Sequence, residues 1–250
     1  MDTETTGITD NDWVAPWLEH KVNKTTPVTG NEKPLPCVFE QIKHKYPNKK
    51  TVAFLSWEWL LKLGKDSIPN SIDQQEFCQM DDADTSIVCD NKALEKSKEF
   101  ISNDFDFFFL YLGSLDEMGH AAGFCSEKYT KRLSDLGDIV FEVFEHMKKE
   151  KIFDDTYIIL TTDHGATYLA KNHGDKNDDN ITIPWIIKGP GVKKNHEISS
   201  NVKNADSSPT ILKIFDIEQP EVWRSHAVSE VFENKSLPDY WEGEEEEFLK

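Results

Sequence analysis

A chain of 250 residues with 38% hydrophobic side chains and seven tryptophans carries enough apolar material for a full core, so one compact domain is the simplest count. A formal net charge of -18 disfavours nonspecific binding to nucleic acid or to an anionic membrane surface. No apolar run approaches the roughly 20 residues needed to span a bilayer, and Met1-Asp2-Thr3-Glu4 offers no basic leader or apolar signal core, which as written points to the cytoplasm.

Pro16, Pro27, Gly30 and Pro34 interrupt residues 1–34, which read as loop laid over a domain. Leu35 to Tyr46 predicts a short helix ended by Pro47. Thr51 to Trp57 predicts a strand, and Trp59 to Leu63 the turn or helix after it. Asp66 to Ala83 shows no clear periodicity and reads as a surface excursion. Thr85 to Ile101 reads as a helix, with Ile87, Val88, Ala93 and Leu94 among its apolar residues.

The central unit is more sharply written. Asp106 to Leu112 is apolar enough to predict a strand buried on both faces. Ser126 can cap a helix running to about Lys149, and Tyr129, Leu133, Leu136, Val140, Phe144 and Met147 recur at three- and four-residue spacing as one buried stripe. Glu127 in its first turn and Lys148 and Lys149 in its last complement the helix dipole. A turn at Asp154-Asp155 leads to a strand at Thr156 to Thr161. A further strand, Ile183 to Ile187, is closed by Gly189-Pro190-Gly191, and Ser208-Pro209 starts a helix through Phe215. Strand, long helical crossover and strand imply parallel pairing in an α/β sheet. Trp241 to Lys250, with Glu244 to Glu247 in succession, reads as a solvated acidic tail. Cys37, Cys78, Cys89 and Cys125 read mostly as buried thiols, with Cys78 and Cys89 the pair best placed to join.

Two stretches carry chemistry: Leu115-Asp116-Glu117-Met118-Gly119-His120, and Thr162-Asp163-His164-Gly165 with His173 behind it. Each follows a predicted strand, at the carboxyl end where open α/β sheets hold their sites. Carboxylate and imidazole together suit zinc or a similar divalent ion. Asp116 and His120, four residues apart, can converge on one ion. Asp163 and His164, at a strand end entering a turn, can meet one ion or bridge toward two. Either pairing alone is an ordinary event in so acidic a chain, and the alternative is a set of plain polar loop residues. A two-ion reading gives Asp116, His120 and His173 to one ion and Asp163 and His164 to the other, which is then short of a ligand.

These segments carry a resemblance. Gly7-Ile8-Thr9-Asp10-Asn11-Asp12-Trp13, Tyr111-Leu112-Gly113-Ser114-Leu115-Asp116 with His120, Leu160-Thr161-Thr162-Asp163-His164-Gly165, and Asn172-His173-Gly174 followed by Ile183-Pro184-Trp185 and Gly189-Pro190-Gly191 stand in the order found in the alkaline phosphatase superfamily. The chain most resembles the type I phosphodiesterase/nucleotide pyrophosphatase branch. The resemblance implies an α/β fold with a mixed, mostly parallel central sheet flanked by helices, as a single domain over residues 1–250 with an acidic tail at 241–250. It implies a metal-dependent hydrolase of phosphate esters, of phosphodiester or nucleotide pyrophosphate bonds, with two Zn²⁺ ions in the complete enzyme or other divalent ions in their place. Asp116, His120 and His173 would hold one ion, and Asp163 and His164 the other with a first-strand aspartate. Asn11 would donate a hydrogen bond to a substrate oxyanion.

By that alignment the threonine or serine nucleophile and the first-strand aspartate fall upstream of Met1, so no catalytic residue is assigned and the chain reads as N-terminally truncated. A preceding segment would make the protein secreted or membrane-anchored. Loss of the first strand would also leave an unpaired sheet edge and a marginal, aggregation-prone chain unless another segment fills the gap. The partner expected is a small-molecule phosphate ester, with no nucleic acid and no membrane segment in this chain. Alternatives are a catalytically inactive metal-binding relative acting as a binding or scaffold protein, and a sulfatase or phosphotransferase of the same superfamily.

Overall fold

A computed structural model describes residues 36–58, 60 and 71–233. Asn11, the loop expected over residues 1–34, all but Leu60 of the turn expected from Trp59 to Leu63, and the acidic tail lie outside the described residues.

The centre of the first sheet is β1 (Thr51–Leu55), a Thr-Val-Ala-Phe-Leu run buried at every position. A strand buried on both faces needs hydrogen-bonded neighbours on both edges, and β1 has them. It pairs in parallel with β2 (Gln74–Phe77) on one side and β3 (Phe107–Leu110) on the other, with Val52 opposite Gln74 and Phe108. Successive side chains point to opposite faces. Val52 and Phe54 therefore pack with Phe100, Ala93 and Phe108 in one cluster, while Ala53 and Leu55 pack with Phe39, Phe107 and Phe109 in another. Phe39 belongs to α1 (Val38–Lys45) and Ala93 to α2 (Ala83–Ser102), so helices cover the parallel sheet on both faces. This is the expected α/β arrangement.

β2 falls inside the stretch expected to be an irregular excursion. Its residues are Gln-Gln-Glu-Phe, with no alternation of apolar and polar character, and nothing local identifies it. The parallel ladder to β1 supplies its order, and its polar side chains suit a sheet edge. A disulfide between Cys78, directly after β2, and Cys89 on α2 fastens that edge strand, with the Cα atoms 5.4 Å apart.

β3 is half-buried at all four positions rather than buried on both faces. Among the described residues it pairs on one edge only, with β1. β4 (Ile158–Thr161) pairs antiparallel with β5 (Trp185–Lys188), in a ladder of its own, so the parallel contact expected between β3 and β4 is not formed among the described residues. The two strands communicate through helices instead. Leu112, Leu115 and Ile158 all pack on a cluster shared by α2 and α4 (Glu127–Lys149).

The helix ends follow their sequences. Asp82 caps α2, accepting from the Thr85 N–H at 2.8 Å, and Ser126 caps α4, accepting from the Tyr129 N–H at 3.3 Å. The buried face of α4 is turned from the one expected: it is Arg132, Leu136, Ile139, Val143 and Met147, and Leu133 is 51% exposed. On α2, Cys89, Asp90, Ala93, Leu94 and Ser97 face inward while Val88 is exposed. Two charged residues thus occupy positions that polarity alone assigns to water. The chain is completed by α3 (Ser114–Ala122), the short α5 (Asp178–Ile181) and α6 (Ser207–Ile214). No helix among the described residues is long and apolar enough to cross a membrane.

The disulfide closes a loop with a sequence separation of 11, and a crosslink of that span contributes roughly 2–3 kcal/mol by restricting the unfolded chain. The Cys78→Ser/Cys89→Ser variant should lose about that much in denaturant unfolding. An unfolding midpoint indifferent to both the substitutions and a reductant would contradict this.

Candidate metal centre

β3 ends at Leu110, and Tyr111-Leu112-Gly113 carries the chain into α3. Asp116 lies in the first turn of that helix and His120 four residues on, so both side chains leave the same face. His120 Nε2 stands 3.3 Å from Asp116 Oδ2. β4 ends at Thr161, and Asp163 and His164 follow within three residues. The loop then returns His173 to the same place. His173 Nε2 is 3.5 Å and His164 Nε2 3.7 Å from Asp116 Oδ1, and His164 Nε2 is 3.7 Å from Asp163 Oδ2. All five residues singled out in the sequence therefore meet at one spot. One ligand atom from each of Asp116, His120 and His173 falls within 4.8 Å of the other two.

The orientation of the rings is as informative as their proximity. His120 Nδ1 lies 2.7 Å from the Lys171 carbonyl and His164 Nδ1 lies 2.9 Å from the Gly165 carbonyl. A carbonyl only accepts, so each Nδ1 carries a hydrogen, and each ring in its neutral form presents the Nε2 lone pair inward. Asp116 Oδ1 is buried and has no hydrogen-bond partner. A buried carboxylate oxygen left bare costs desolvation energy that a protein neighbour or a cation normally offsets. Lone pairs and an orphaned anionic oxygen directed at one point are a donor set for a divalent cation.

The imidazoles of His164 and His173 stack at a centroid separation of 3.6 Å. Burial, and then the neighbouring charge of His164, pushes His173 below its ordinary value of 6.5, against the pull of Asp116. Burial, followed by the negative charges of Asp163 and Asp116, pushes the Tyr111 phenol up and keeps it protonated beside the site.

The supporting residues carry no sequence signal that sets them apart. Phe124, almost fully buried, packs edge-on against both His120 and His173, and its N–H and carbonyl pair with Ala170 and Leu169 at 2.8 Å each. A Cβ at Gly119 would collide with the Phe124 ring, which explains a glycine inside α3. Asn180 joins the two histidine loops. Its carbonyl accepts from the Gly165 N–H at 2.8 Å and its side-chain oxygen from the Gly174 N–H at 3.3 Å. A Cβ at Gly165 would strike the carbonyl oxygens of Asp179 and Thr182, so only glycine lets the turn after His164 lie against α5.

Comparison with known proteins gives the same outline. The family model described as Type I phosphodiesterase / nucleotide pyrophosphatase matches residues 2–241. An extracellular sulfatase SULF-1 homolog of Drosophila melanogaster is 27% identical over 121 residues, covering 45% of this chain and 11% of that protein. GPI ethanolamine phosphate transferase 1 of Chaetomium globosum is 33% identical over 125 residues, covering 46% of this chain and 13% of that protein. The matched regions thus span little more than a tenth of these relatives. Among solved structures, a 2-O GAG sulfatase superposes with a TM-score of 0.56 at 12% identity, over 87% of this chain and 61% of that one, which is a likeness of fold.

Two outcomes follow from this geometry. In metal-free protein the His173 ring should titrate below 6.5 by NMR; because the unfolded chain then binds the proton more tightly, stability falls as pH drops through 6.5 and onward through the folded value. A titration at or above 6.5 would contradict it. Gly119→Ala should cost about 1–3 kcal/mol in denaturant unfolding, the usual penalty for overpacking against a side chain that cannot withdraw; a wild-type midpoint would show that Phe124 yields freely.

Proposed function

Because the chain belongs to the Type I phosphodiesterase / nucleotide pyrophosphatase family, within the alkaline phosphatase superfamily, we propose that it is the metal-binding part of a hydrolase of phosphate esters, acting on phosphodiester or nucleotide pyrophosphate bonds. The observation that carries this reading is the bare, buried Asp116 Oδ1 beside the Nε2 atoms of His164 and His173, with His120 on its other oxygen. Asp116, His120 and His173 would hold one divalent ion, with Zn²⁺ the first choice for two imidazoles and a carboxylate. Asp163 and His164 would contribute to a second. Bound there, such ions supply Lewis acidity toward a phosphoryl oxygen and a nucleophile at neutral pH.

The chain's own residues do the rest. The Lys171 and Gly165 carbonyls hold the His120 and His164 tautomers, Phe124 walls one side against water, and Tyr111 stands by as a neutral hydrogen-bond donor. Asn11, by its motif, is assigned to a substrate oxygen. The names of the relatives favour a second reading, sulfate-ester hydrolysis or phosphoryl transfer at the same centre. The disulfide favours an oxidising compartment, which supports secretion or membrane anchoring over the cytoplasm.

Chelator-treated protein should take up Zn²⁺ on reloading, and Asp116→Ala should weaken that uptake by about 10-fold or more, as measured by competition with a chromogenic chelator. Failure of the wild-type chain to retain zinc would sink the metal-centre reading. Turnover of a chromogenic phosphodiester in preference to an aryl sulfate, lost in Asp116→Ala, supports the phosphate reading, and the reverse preference favours the sulfatase.

A further inference from the structure

Beneath the metal centre lies a buried polar cluster that no metal ligand uses. Asp90 on α2 and Ser114 on α3 are fully buried, and Arg132 on α4 is 5% exposed. Arg132 Nη2 donates to Asp90 Oδ2 at 2.8 Å and Arg132 Nε donates to Ser114 Oγ at 2.5 Å. The Ser114 hydroxyl in turn donates to Asp90 Oδ2, and the Gly113 N–H donates to Asp90 Oδ1 at 3.2 Å. Three successive helices are thus joined at one point, and that point is the start of the helix bearing Asp116 and His120.

α3 needs such a partner. Its N-cap residue is Gly113, which has no side chain with which to accept from the exposed N–H groups of the first turn. Asp90, from another helix, accepts instead from the Gly113 N–H and the Ser114 hydroxyl, as an anion at the positive end of the α3 dipole. The other end of α3 is already secured. Lys171 Nζ donates to the Ala121 carbonyl at 2.9 Å, and Phe124 pairs with the loop carrying His173. A helix held at both ends keeps its rotation. Each residue turns the helix by about 100°, so a slip of one residue at Gly113 would carry Asp116 away from His164 and His173.

A buried ion pair is seldom retained for stability, since an apolar pair of similar volume is often as good or better. Its value here is geometric. We propose that Asp90, held by Arg132, is a positioning residue for the metal centre: through Gly113 and Ser114 it sets the register at which α3 presents Asp116 and His120. This rests on the metal-centre reading above.

The test uses Zn²⁺ alone as probe and the full chain. Asp90→Asn leaves an uncompensated guanidinium in the interior and is expected to unfold the protein, so the informative variants are Asp90→Leu/Arg132→Met and Ser114→Ala. Both should bind Zn²⁺ about 10-fold or more weakly than wild type, and amides of residues 114–122 should exchange faster while those in the middle of α4 keep their protection. Asp73→Asn, which breaks the remote Lys43–Asp73 pair, should lower stability and leave zinc affinity unchanged. A folded double variant with wild-type zinc affinity and wild-type exchange overturns the proposal. If the double variant does not fold, Ser114→Ala decides by the same two readouts. If wild type itself binds no zinc, the metal-centre reading fails, and exchange in residues 114–122 alone decides whether Asp90 holds the helix.

Discussion

The contact on which most else in this chain depends is the buried pairing of Asp90 with Arg132. Taking both charges out of water costs several kcal/mol per ion, a penalty offset only when the remaining lone pairs and protons are satisfied. Here Gly113, Ser114 and Arg132 engage both Asp90 oxygens, and Arg132 donates from Nε and Nη2. The consequence reaches beyond the cluster. To put Asp90 and Arg132 inside, α2 and α4 must turn faces toward each other that differ from their most apolar ones. Val88 and Leu133 are left in water, and Leu94, Ile101, Leu136, Ile139, Val143 and Met147 form the interface between the two helices. Leu112 and Leu115, on either side of the start of α3, then pack onto that interface, which seats the helix against the two long helices.

With α3 seated, the site forms because strand ends deliver their loops to the same edge of the fold. β3 leads to Asp116 and His120, and β4 leads to Asp163 and His164. Asn180, on α5, ties the Gly165 turn after His164 to the Gly174 turn after His173. Burial of His173, and then the charge of the His164 ring stacked on it, favour the neutral His173 imidazole where a metal would want a lone pair. The same arrangement leaves Asp116 Oδ1 without a hydrogen-bond partner. Polar groups in a folded interior are nearly always paired, so an unpaired carboxylate oxygen amid inward-facing imidazoles marks a place for a cation.

The legible part of the sequence was the part whose signals are local. The α4 cap at Ser126, the acidic first turn and basic last turn, and the uninterrupted apolar run of β1 all act within a few residues, and each element appears within a few residues of where it is expected. The five metal-site candidates were picked out for a related reason: four of them, Asp116, His120, Asp163 and His164, stand within ten residues of a strand end, and His173 beside a glycine in the loop that follows. β2 was not legible, because Gln-Gln-Glu-Phe becomes a strand only when β1 offers it a ladder. The inward face of α4 was misplaced by about one residue over part of its length, because a hydrophobic count assigns Arg132 to water and cannot know that Asp90, 42 residues away, is its partner.

The sequence by itself determined the class of fold, four of the six α-helices described, most strands, and which carboxylates and imidazoles could take part in a site, since these follow from periodicity, capping and residue chemistry within short windows; α3 and α5, expected as loop, were not among them. The tertiary structure decided the rest. It chose the ladder partners of β3 and β4, formed the Cys78–Cys89 bond, fixed the tautomers of His120 and His164 through carbonyls of other residues, and turned α3 to bring Asp116 against His164 and His173. Apart from the His164 tautomer, which the adjacent Gly165 carbonyl holds, each of these joins groups that are not neighbours in the chain, and such pairings acquire an energy only when the fold brings the partners within reach.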